Sequence, residues 1–338
     1  MTLKDFLAEW HNDSTTLEIK TSGSTGEPKP IKVEKKRMLA SARITCDFLG
    51  LKKDDTALLC LPLDYIAGKM IVVRAIERGL QLTATEPCGN PMRDVPEGGF
   101  DLVAMVPMQV YNTLQVEAER ERLMQVRHLL IGGGAVDASL EKALRDFPNA
   151  VWSTYGMTET LSHIALRRLN GPEASEWYMP FDTVGISQNA DGCLVINAPE
   201  ICDGEIVTND IVEMDSSGRR FKVIGRLDNV ICCGGVKIQI EEVEKRLKDR
   251  LGVPFVITKR KDGKFGEVVV MLYEKENDAD PESLRRVVED ALPRYWQPKN
   301  YFAVERLHVT GSGKPARKEA ERLAALFGFD FCKDTAAY

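Results

Sequence analysis

Residues with metal-binding or redox chemistry are few in this sequence, and they are scattered. The 338 residues include four histidines and eight cysteines, with no CxxC pair and no histidine cluster at zinc-ligand spacing. This excludes the common structural zinc sites and the dithiol redox motif. The cysteines also lack the spacing of a disulfide framework, so we expect them to be reduced thiols.

Long apolar runs and long basic runs are also missing. The apolar run LVAMVPM is among the longest, far short of a membrane span. The first residues, MTLKDFLAEWHNDS, mix charges and lack the apolar core of a signal peptide. The net charge of -6 does not indicate binding to nucleic acid or to an anionic membrane. We therefore expect a cytoplasmic protein that binds neither, while a small anionic ligand stays compatible with this charge.

Between about residues 15 and 170, β-rich runs alternate with helical patterns. The runs predicted to be strands are TALLCL, LQLTAT, DLVAMVP, RHLLIGGG and NAVWSTYG. The helical patterns are KKRMLASARITCDFLG, IAGKMIVVRAIERG and DASLEKALRDF, the last with Asp137 as its N-cap. This alternation predicts an α/β domain whose mainly parallel sheet is covered by helices. Such sheets bind ligands in loops at the carboxyl ends of their strands, where the glycine-rich and hydroxyl-rich segments are expected to lie.

The pattern changes twice after residue 180. Short strands separated by turn residues, TVGIS, GCLVINA, GEIVTNDIVEMD and RFKVIG, predict a small β-rich module that completes a large domain over residues 1–228. Residues 229–338 contain two amphipathic helices, IQIEEVEKRLKDRL and PESLRRVVEDAL, around a hairpin that turns at Asp262-Gly263. We predict a separate small α+β domain there, with the boundary near residues 226–229.

The stretch TSGSTGEPKP, residues 21–30, combines two glycines, four hydroxyl side chains, two prolines and a lysine. It is not an ATPase P-loop, because Gly23 and Gly26 are too close together and Pro30 follows Lys29. Composition alone leaves two interpretations open. The stretch is either a plain linker or an anion nest, in which backbone amides and hydroxyls hold phosphate.

Three further motifs follow in order: YGMTET at 155–160, GRLDNVICCGGVKI at 225–238 and TGSGKPAR at 310–317. Together with TSGSTGEPKP they resemble the acyl-adenylate-forming superfamily, which includes acyl-CoA synthetases, luciferases and peptide-synthetase adenylation domains. The resemblance runs from about residue 20 to residue 320. It implies a large AMP-binding domain followed by a small mobile one, and an enzyme that uses ATP, Mg²⁺ and coenzyme A.

The resemblance also implies where the nucleotide binds. The glycine-rich loop would hold the pyrophosphate end of ATP, LIGGGAV would line the adenine pocket, and Tyr155 would stack near adenine. Asp210 matches the aspartate that binds ribose, although Asn209 replaces the usual glycine, and Arg226 would be a second ribose or phosphate contact. The implied ATP-binding residues are Thr21, Ser22, Gly23, Ser24, Thr25, Gly26, Lys29, Gly132, Gly133, Gly134, Tyr155, Asp210 and Arg226.

Three residues are implied to be catalytic. Thr158 would face the α-phosphate, and Glu159 would hold Mg²⁺, which offsets charge as pyrophosphate leaves. Lys314 would bridge the carboxylate oxygen and the α-phosphate as charge builds up. Plainer interpretations stay open: the first turn of a helix for Thr158 and Glu159, and an exposed surface residue for Lys314.

The small domain is implied to move between two half-reactions. Asp228 matches the hinge residue, with an ordinary turn aspartate as the alternative. In the second half-reaction, the segment CCGGVK would line the tunnel for the thiol, and Gly234 and Gly235 would let the pantetheine arm of coenzyme A pass.

The acid is suggested by LPLDYIAGKMIVVRAIERG, residues 61–79. This segment looks like that of the o-succinylbenzoate–CoA ligases of menaquinone biosynthesis, although Tyr65 stands where histidine is common. Such a substrate has a second carboxylate that must be recognised. Lys69, one helical turn after Tyr65, is a candidate, as are His163 and Arg167, whose i, i+4 spacing would place them on one helix face. A solvated helix face is the alternative.

Members of the superfamily usually carry a further sheet-bearing subdomain before the glycine-rich loop, whereas 20 residues precede it here. This implies a short, N-terminally truncated form, or compensation by a homodimer partner. The predicted function is an AMP-forming acid–CoA ligase whose partners are a small carboxylic acid and coenzyme A, with o-succinylbenzoate as the acid. The alternatives are a CoA ligase for another aryl or fatty acid, a peptide-synthetase adenylation domain, and a non-catalytic nucleotide-binding module.

Overall fold

A computed structural model of the chain describes residues 1–20, 30–96, 98–275, 281–309 and 315–330. The chain forms two compact units. The first unit comprises Met1–Gln188, Val195–Val207 and Met214–Lys222, and the second comprises Asn189–Leu194, Thr208–Glu213 and Val223–Tyr338. The predicted boundary near residue 228 and the motion about it stay predictions.

The predicted strands TALLCL, LQLTAT, DLVAMVP, RHLLIGGG and NAVWSTYG each contain an observed strand, and further helices and strands lie between and around them. The helices among the described residues are α1 (Leu3–Trp10), α2 (Lys35–Phe48), α3 (Ile66–Arg78), α4 (Pro107–Leu114), α5 (Glu117–Met124), α6 (Ala138–Leu144), α7 (Ile240–Leu247), α8 (Pro281–Ala291) and α9 (Arg317–Asp330). The strands are β1 (Thr16–Lys20), β2 (Pro30–Glu34), β3 (Thr56–Leu59), β4 (Gln81–Ala84), β5 (Leu102–Met105), β6 (His128–Ile131), β7 (Ala150–Gly156), β8 (His163–Arg168), β9 (Met179–Pro180), β10 (Gly185–Gln188), β11 (Cys193–Asn197), β12 (Glu205–Met214), β13 (Phe221–Arg226), β14 (Val230–Cys233), β15 (Val236–Gln239), β16 (Phe255–Asp262), β17 (Gly266–Glu274) and β18 (Asn300–Val304).

A seven-stranded sheet forms the centre of the first unit, in the order β4-β3-β5-β6-β7-β8-β9. The first five strands are parallel, and β8 and β9 join the edge in antiparallel fashion. The predicted α/β class with a mainly parallel sheet is therefore confirmed. The predicted N-cap is confirmed as well, since Asp137 accepts a hydrogen bond from the backbone N–H of Leu140 at 2.9 Å.

Helices α2 and α3 pack against each other, and α2 buries the face that its periodicity predicts. Met38, Ala42 and Cys46 recur every four residues along α2, and each is fully buried. In α3 the buried stretch is continuous over residues 68–75. This helix ends at Gly79, whose left-handed φ of 69° suits glycine as a helix terminator.

The strands that flank TSGSTGEPK form a separate two-stranded sheet. Strands β1 and β2 pair in antiparallel register, ending with Lys20 opposite Pro30. The prediction that this segment follows a strand of the parallel sheet is therefore wrong. Nine residues separate the two strands, and a parallel connection needs a longer crossover, so an antiparallel pair is the arrangement that the chain length favours.

The second unit contains a five-stranded sheet in the order β15-β14-β17-β16, with β18 paired to β17. The predicted hairpin is confirmed: β16 and β17 pair in antiparallel register, and the Asp262 carboxylate accepts hydrogen bonds from the backbone N–H groups of Lys264 and Phe265. Val243 and Leu247 of α7 and Val288 of α8 are fully buried in its core.

A further four-stranded sheet has the order β10-β11-β12-β13.

The described residues bear on two features of the sequence, its apolar runs and its cysteines. None of the helices described is long and apolar enough to cross a membrane. The seven cysteines in the described part of the chain are free thiols, and five of them are buried. The eighth, Cys332, lies outside the described residues.

Candidate functional site

The glycine run and the motif YGMTET lie side by side at the carboxyl edge of the seven-stranded sheet. Strands β6 and β7 are parallel neighbours, with Ile131 opposite Ser153. The segment Gly132–Gly134 leaves the end of β6, and Tyr155 and Gly156 end β7. As predicted, both segments occupy the edge where parallel sheets bind ligands.

Glycine is required at two points of this edge for steric reasons. A Cβ atom on Gly132 would lie 2.5 Å from Thr154 Oγ1, closer than real contacts allow. Gly133 adopts a left-handed φ of 76° that other residues rarely adopt. The backbone at the end of β6 therefore packs closely against Thr154 and takes a turn that glycine favours.

Tyr155 is held by a cluster of aromatic rings. Its ring centroid lies 4.9 Å from that of Phe221 in an edge-to-face arrangement and 5.8 Å from that of Tyr178. The Tyr178 hydroxyl lies 2.7 Å from Ser153 Oγ, which ties the cluster back to β7. The Tyr155 ring is thus held at the carboxyl edge of the sheet by Phe221 and Tyr178.

The residues after Gly156 form a turn organised by Thr160. The Thr160 hydroxyl accepts a hydrogen bond from the backbone N–H of Met157 at 3.0 Å and donates to the carbonyl oxygen of Ser162 at 2.7 Å. Thr158 is buried, whereas Glu159 is exposed and has no hydrogen-bond or ion-pair partner among the described residues. The turn therefore leaves one carboxylate available to a ligand.

The helical interpretation of this region is wrong. Residues 163–168 form the antiparallel strand β8, so neither a helix start at Thr158 and Glu159 nor a helix face at His163 and Arg167 exists. The His163 side chain is buried, and Arg167 forms a bidentate ion pair with the Glu141 carboxylate. The strand forms because β8 pairs along β7, a contact that local periodicity does not reveal.

Gly156 permits the sharp turn between β7 and β8. A Cβ atom there would lie 2.3 Å from the carbonyl oxygen of Ser162 and 2.5 Å from His163 Cα, both of them backbone atoms. We expect Gly156→Ala to lower the free energy of unfolding by about 1–3 kcal/mol, because the backbone must shift. Urea denaturation measures this change. Gly185→Ala is the matched control, since its Cβ would meet ordinary contacts from 3.6 Å, and equal losses in both variants would contradict the steric argument.

Three buried polar side chains, those of Thr45, Arg74 and His163, form a network with the partly buried Ser162 of this turn. Arg74 Nη2 donates to Ser162 Oγ at 2.6 Å and lies 3.5 Å from Thr45 Oγ1. The Thr45 hydroxyl is 3.1 Å from Nε2 of His163, and Ser162 Oγ is 3.3 Å from Nδ1 of the same ring. The network connects α2 and α3 to the turn that carries Glu159.

Arg74 is the unusual member of this network. Its side chain is fully buried. Counting only residues that the structure describes, its Nε atom has no hydrogen-bond partner, and its other nitrogens contact hydroxyls rather than carboxylates. Burial lowers the pKa of Arg74 from its usual 12.5 to about 10, so the guanidinium stays charged at neutral pH. A buried charge without an opposite charge is costly, which makes this position a candidate anion site that the sequence did not reveal.

His163 is buried in its neutral form. Burial, and then the charge of Arg74, hold the pKa of His163 well below 6.5. Its ring therefore offers hydrogen bonds and not a positive charge at neutral pH. As a residue for the second carboxylate, His163 stays a prediction, and its contribution would be a neutral hydrogen bond.

Because His163 is buried in its neutral form, we expect the folded protein to lose stability in acid. The folded protein disfavours the protonated ring, so below pH 6.5 the unfolded chain binds a proton that the folded chain excludes, and stability falls as pH falls. We expect His163→Asn to lose less stability than the wild type between pH 7 and pH 5, roughly the window below the usual histidine pKa. Urea denaturation across this range measures the slopes. His11→Asn, at an exposed histidine, is the control, and a slope equal to the wild type in His163→Asn would contradict the prediction.

Tyr65 and Lys69 take up different environments at the start of α3. Tyr65 precedes the helix and is about half exposed, at 52%. The Lys69 ammonium is buried under α1, 5.3 Å from the centre of the Phe6 ring, and burial lowers its pKa. Their predicted contacts with the acid stay predictions.

In the second unit, the predicted ribose residues lie together. Arg226 donates to Asp210 Oδ1 at 3.2 Å and to Asp228 Oδ2 at 3.0 Å. The Asn209 amide, which replaces the usual glycine, lies 3.4 Å from both Asp228 oxygens. The guanidinium therefore bridges two carboxylates, and the ribose-binding role of Asp210 and Arg226 stays a prediction.

The glycines of CCGGVK make a two-residue turn. Gly234 and Gly235 have φ values of 57° and 85°, and they connect β14 to β15. A cavity of about 580 Å³ beside this hairpin is lined in part by Cys232, Lys237 and Lys259. The Phe265 ring lies close to Gly234, where a Cβ atom would be 3.3 Å from its Cδ1, and the role of both glycines in the passage of coenzyme A stays a prediction.

Some predicted residues lie outside the described part of the chain. These are the glycine-rich loop, with Thr21, Ser22, Gly23, Ser24, Thr25, Gly26 and Lys29, and the catalytic candidate Lys314. Among the residues described, no group of three or more His, Cys, Asp or Glu side chains is arranged to hold a metal ion. A lone carboxylate such as Glu159 is the pattern expected where Mg²⁺ is bound mainly through substrate phosphates.

Comparison with known proteins identifies a family whose members resemble this chain. Residues 6–207 match the family described as AMP-binding enzyme. A 2-succinylbenzoate–CoA ligase of Bacillus cereus is 25% identical over 337 residues, covering 90% of this chain and 69% of that protein.

Solved structures are similar along most of the chain. An acyl-CoA synthetase (AMP-forming)/AMP-acid ligase II-like protein from Dyadobacter fermentans DSM 18053 is 36% identical, with a TM-score of 0.64 and coverage of 95% of this chain and 92% of that one. The o-succinylbenzoate CoA synthetase of Bacillus subtilis, solved with its acyl-adenylate intermediate, has a TM-score of 0.76 at 22% identity and covers 91% of this chain and 69% of its own. Because the family match spans more than half of the sequence, the protein belongs to the AMP-binding enzyme family, with the fold of acyl-adenylate-forming enzymes.

Proposed function

We propose that the protein is an AMP-forming acid–CoA ligase and that its acid is 2-succinylbenzoate. In the first step, a carboxylate oxygen of the acid attacks the α-phosphorus of ATP and pyrophosphate leaves. In the second step, the thiol of coenzyme A attacks the activated carbonyl carbon, loses its proton, and AMP leaves. The family and its curated relatives support this chemistry.

The first unit supports binding of the base and the phosphates. The backbone of Gly132–Gly134 and the Tyr155 ring, both at the carboxyl edge of the sheet, would border the adenine, and the glycine-rich loop would take the β- and γ-phosphates. Glu159 would hold Mg²⁺, which supplies charge neutralisation at the phosphates when bound. Thr158, on the same turn, would donate a hydrogen bond towards the α-phosphate.

The second unit supports the remaining contacts. Asp210 and Arg226 would bind the ribose, and Lys314 would bring a positive charge to the reacting carboxylate. Gly234 and Gly235 would form the thiol entrance, with Asp228 at the hinge. Each of these roles follows from a position that matches the family's motifs.

Arg74 is the observation that favours a dicarboxylic acid. Its guanidinium is fully buried and charged, it contacts no carboxylate within the described part of the chain, and it touches Ser162 in the turn that carries Glu159. A second substrate carboxylate would supply the missing opposite charge, with Ser162 and His163 as neutral hydrogen-bond partners. A monocarboxylic acid would leave that charge uncompensated.

A substrate panel tests the proposal. Pyrophosphate release and CoA-thioester formation are measured with 2-succinylbenzoate, benzoate and a set of aliphatic acids. We expect 2-succinylbenzoate to be preferred over benzoate by about 10²-fold or more in kcat/KM, since a buried charge discriminates strongly against a ligand that cannot pair with it. Preference for another acid would overturn the substrate, and no turnover of any acid would favour a non-catalytic nucleotide-binding module.

A further inference from the structure

Thr45, on α2, is a fully buried threonine whose hydroxyl has three polar neighbours. The hydroxyl donates a hydrogen bond to the carbonyl oxygen of Ser41 at 3.1 Å. It lies 3.1 Å from Nε2 of His163 and 3.5 Å from Nη2 of Arg74. A hydroxyl group has one proton to donate and can accept two hydrogen bonds. Because the proton of Thr45 is donated to Ser41, the two nitrogen atoms must both act as donors.

This arrangement places the proton of the His163 ring on Nε2. Burial holds the pKa of His163 well below 6.5, so at neutral pH the ring is neutral and only one of its nitrogens carries a proton. With that proton on Nε2, the other nitrogen, Nδ1, accepts a hydrogen bond from the Ser162 hydroxyl, 3.3 Å away. The Ser162 oxygen in turn accepts the hydrogen bond from Arg74 Nη2 at 2.6 Å.

The opposite tautomer would leave a proton without an acceptor. With the His163 proton on Nδ1, Ser162 would accept from both His163 and Arg74, and its own proton would have no acceptor within the described ranges. The Thr45 hydroxyl would also have to turn from Ser41 to Nε2. Polar networks in protein interiors are stable when each donor finds an acceptor, which favours the Nε2 tautomer. The hydrogen bonds then run in one direction, from the Arg74 guanidinium to the Ser41 carbonyl.

We propose that Thr45 is a positioning residue for recognition of the second carboxylate of the acid, an inference that rests on the proposed function. Thr45 holds the His163 ring through Nε2, and that ring faces Ser162. Ser162 in turn contacts the guanidinium of Arg74, the group that would pair with the carboxylate. When a carboxylate binds there, the Ser162 hydroxyl can turn towards it while the bond to Thr45 keeps the ring in place. Groups that are fixed before the ligand arrives lose less conformational freedom on binding, which favours affinity.

Nitrogen NMR of protein with isotope-labelled histidine measures the tautomer directly. The two ring nitrogens are distinguished by their couplings to the ring C–H protons, and the signal of His163 is identified by its loss in His163→Asn. We expect the proton on Nε2 in the wild type. In Thr45→Val, where a methyl group replaces the acceptor, this preference should be lost. A wild-type ring protonated on Nδ1 would overturn the inference, and this result does not depend on the folding of any Thr45 variant.

The kinetic test uses the ratio of kcat/KM for 2-succinylbenzoate to kcat/KM for benzoate. Thr45→Val keeps the shape of the side chain and removes its hydroxyl, and we expect the ratio to fall by about tenfold, the effect of about one hydrogen bond. Thr45→Ser keeps the hydroxyl and should restore most of the ratio. Thr113→Val is the matched control, because Thr113 is fully buried in α4 and its hydroxyl has no hydrogen-bond partner in the part of the chain that the structure describes.

Two kinetic results would contradict the positioning role. They are an unchanged ratio in Thr45→Val, and a fall of equal size in Thr45→Val and Thr45→Ser. A wild type that does not prefer 2-succinylbenzoate, although His163 carries its proton on Nε2, would instead overturn the proposed substrate and leave the tautomer assignment in place.

Discussion

Replacing Lys314 by alanine is expected to slow formation of the acyl-adenylate by about 10²-fold or more while the protein stays folded. In the transition state a negatively charged carboxylate oxygen approaches the negatively charged α-phosphate, and charge moves onto the phosphate oxygens and the leaving pyrophosphate. An ammonium between them stabilises that state more than the separate reactants, so its removal lowers the rate of the step. Lys314 lies outside the described residues, and its assignment comes from the motif TGSGKPAR.

Pyrophosphate release and thermal unfolding are measured together to test this prediction. The melting temperature should stay near that of the wild type, because the role assigned to this lysine is in the reaction and not in an apolar core. Lys261→Ala, at an exposed position of β16, is the matched control and should retain both activity and stability. An unchanged rate of pyrophosphate release in Lys314→Ala would remove the residue from the reaction.

The parallel part of the fold could be predicted from sequence because its patterns are local. Met38, Ala42 and Cys46 recur at the helical period, and Asp137 stands where an N-cap is needed. The hairpin at Asp262 was also predictable, since an aspartate before glycine favours a turn between two apolar runs. In each case the residues that determine the structure are close together in the chain.

The errors came from contacts between distant residues. Strand β8 was interpreted as a helix face because His163 and Arg167 have helical spacing, whereas pairing with β7 determines its structure. The predicted edge position of the glycine-rich loop was wrong because β1 and β2 form their own sheet. Thr160 was missed because a threonine that organises a turn has no distinguishing sequence pattern.

Arg74 was missed for a related reason. Arg74, Glu77 and Arg78 are three and four residues apart, so the sequence of α3 places them on one polar face. Helix α2 covers the Arg74 end of that face, where Thr45 approaches the guanidinium. Glu77 and Arg78 instead pair near the surface with Arg43 and Asp47. The burial of one charged residue among three thus depends on a neighbouring helix.

Replacing Arg74 by methionine is expected to lower the activity of the enzyme without lowering its stability. An uncompensated buried charge costs free energy, and an apolar side chain of similar length removes that cost. We therefore expect the free energy of unfolding of Arg74→Met to stay within about 1 kcal/mol of the wild type or to rise. In contrast, kcat/KM for 2-succinylbenzoate should fall by about 10²-fold, because the second carboxylate loses its charged partner.

Comparison of acids makes this prediction specific to the guanidinium. The kcat/KM of Arg74→Met for benzoate should stay near that of the wild type, since benzoate has no second carboxylate to pair with residue 74. Arg78→Met, one helical turn further along α3, removes a surface ion pair with Asp47 and should change neither acid's kcat/KM. If Arg74→Met instead unfolds readily and loses both acids equally, then Arg74 serves to hold the turn at Ser162, and a different group must recognise the second carboxylate.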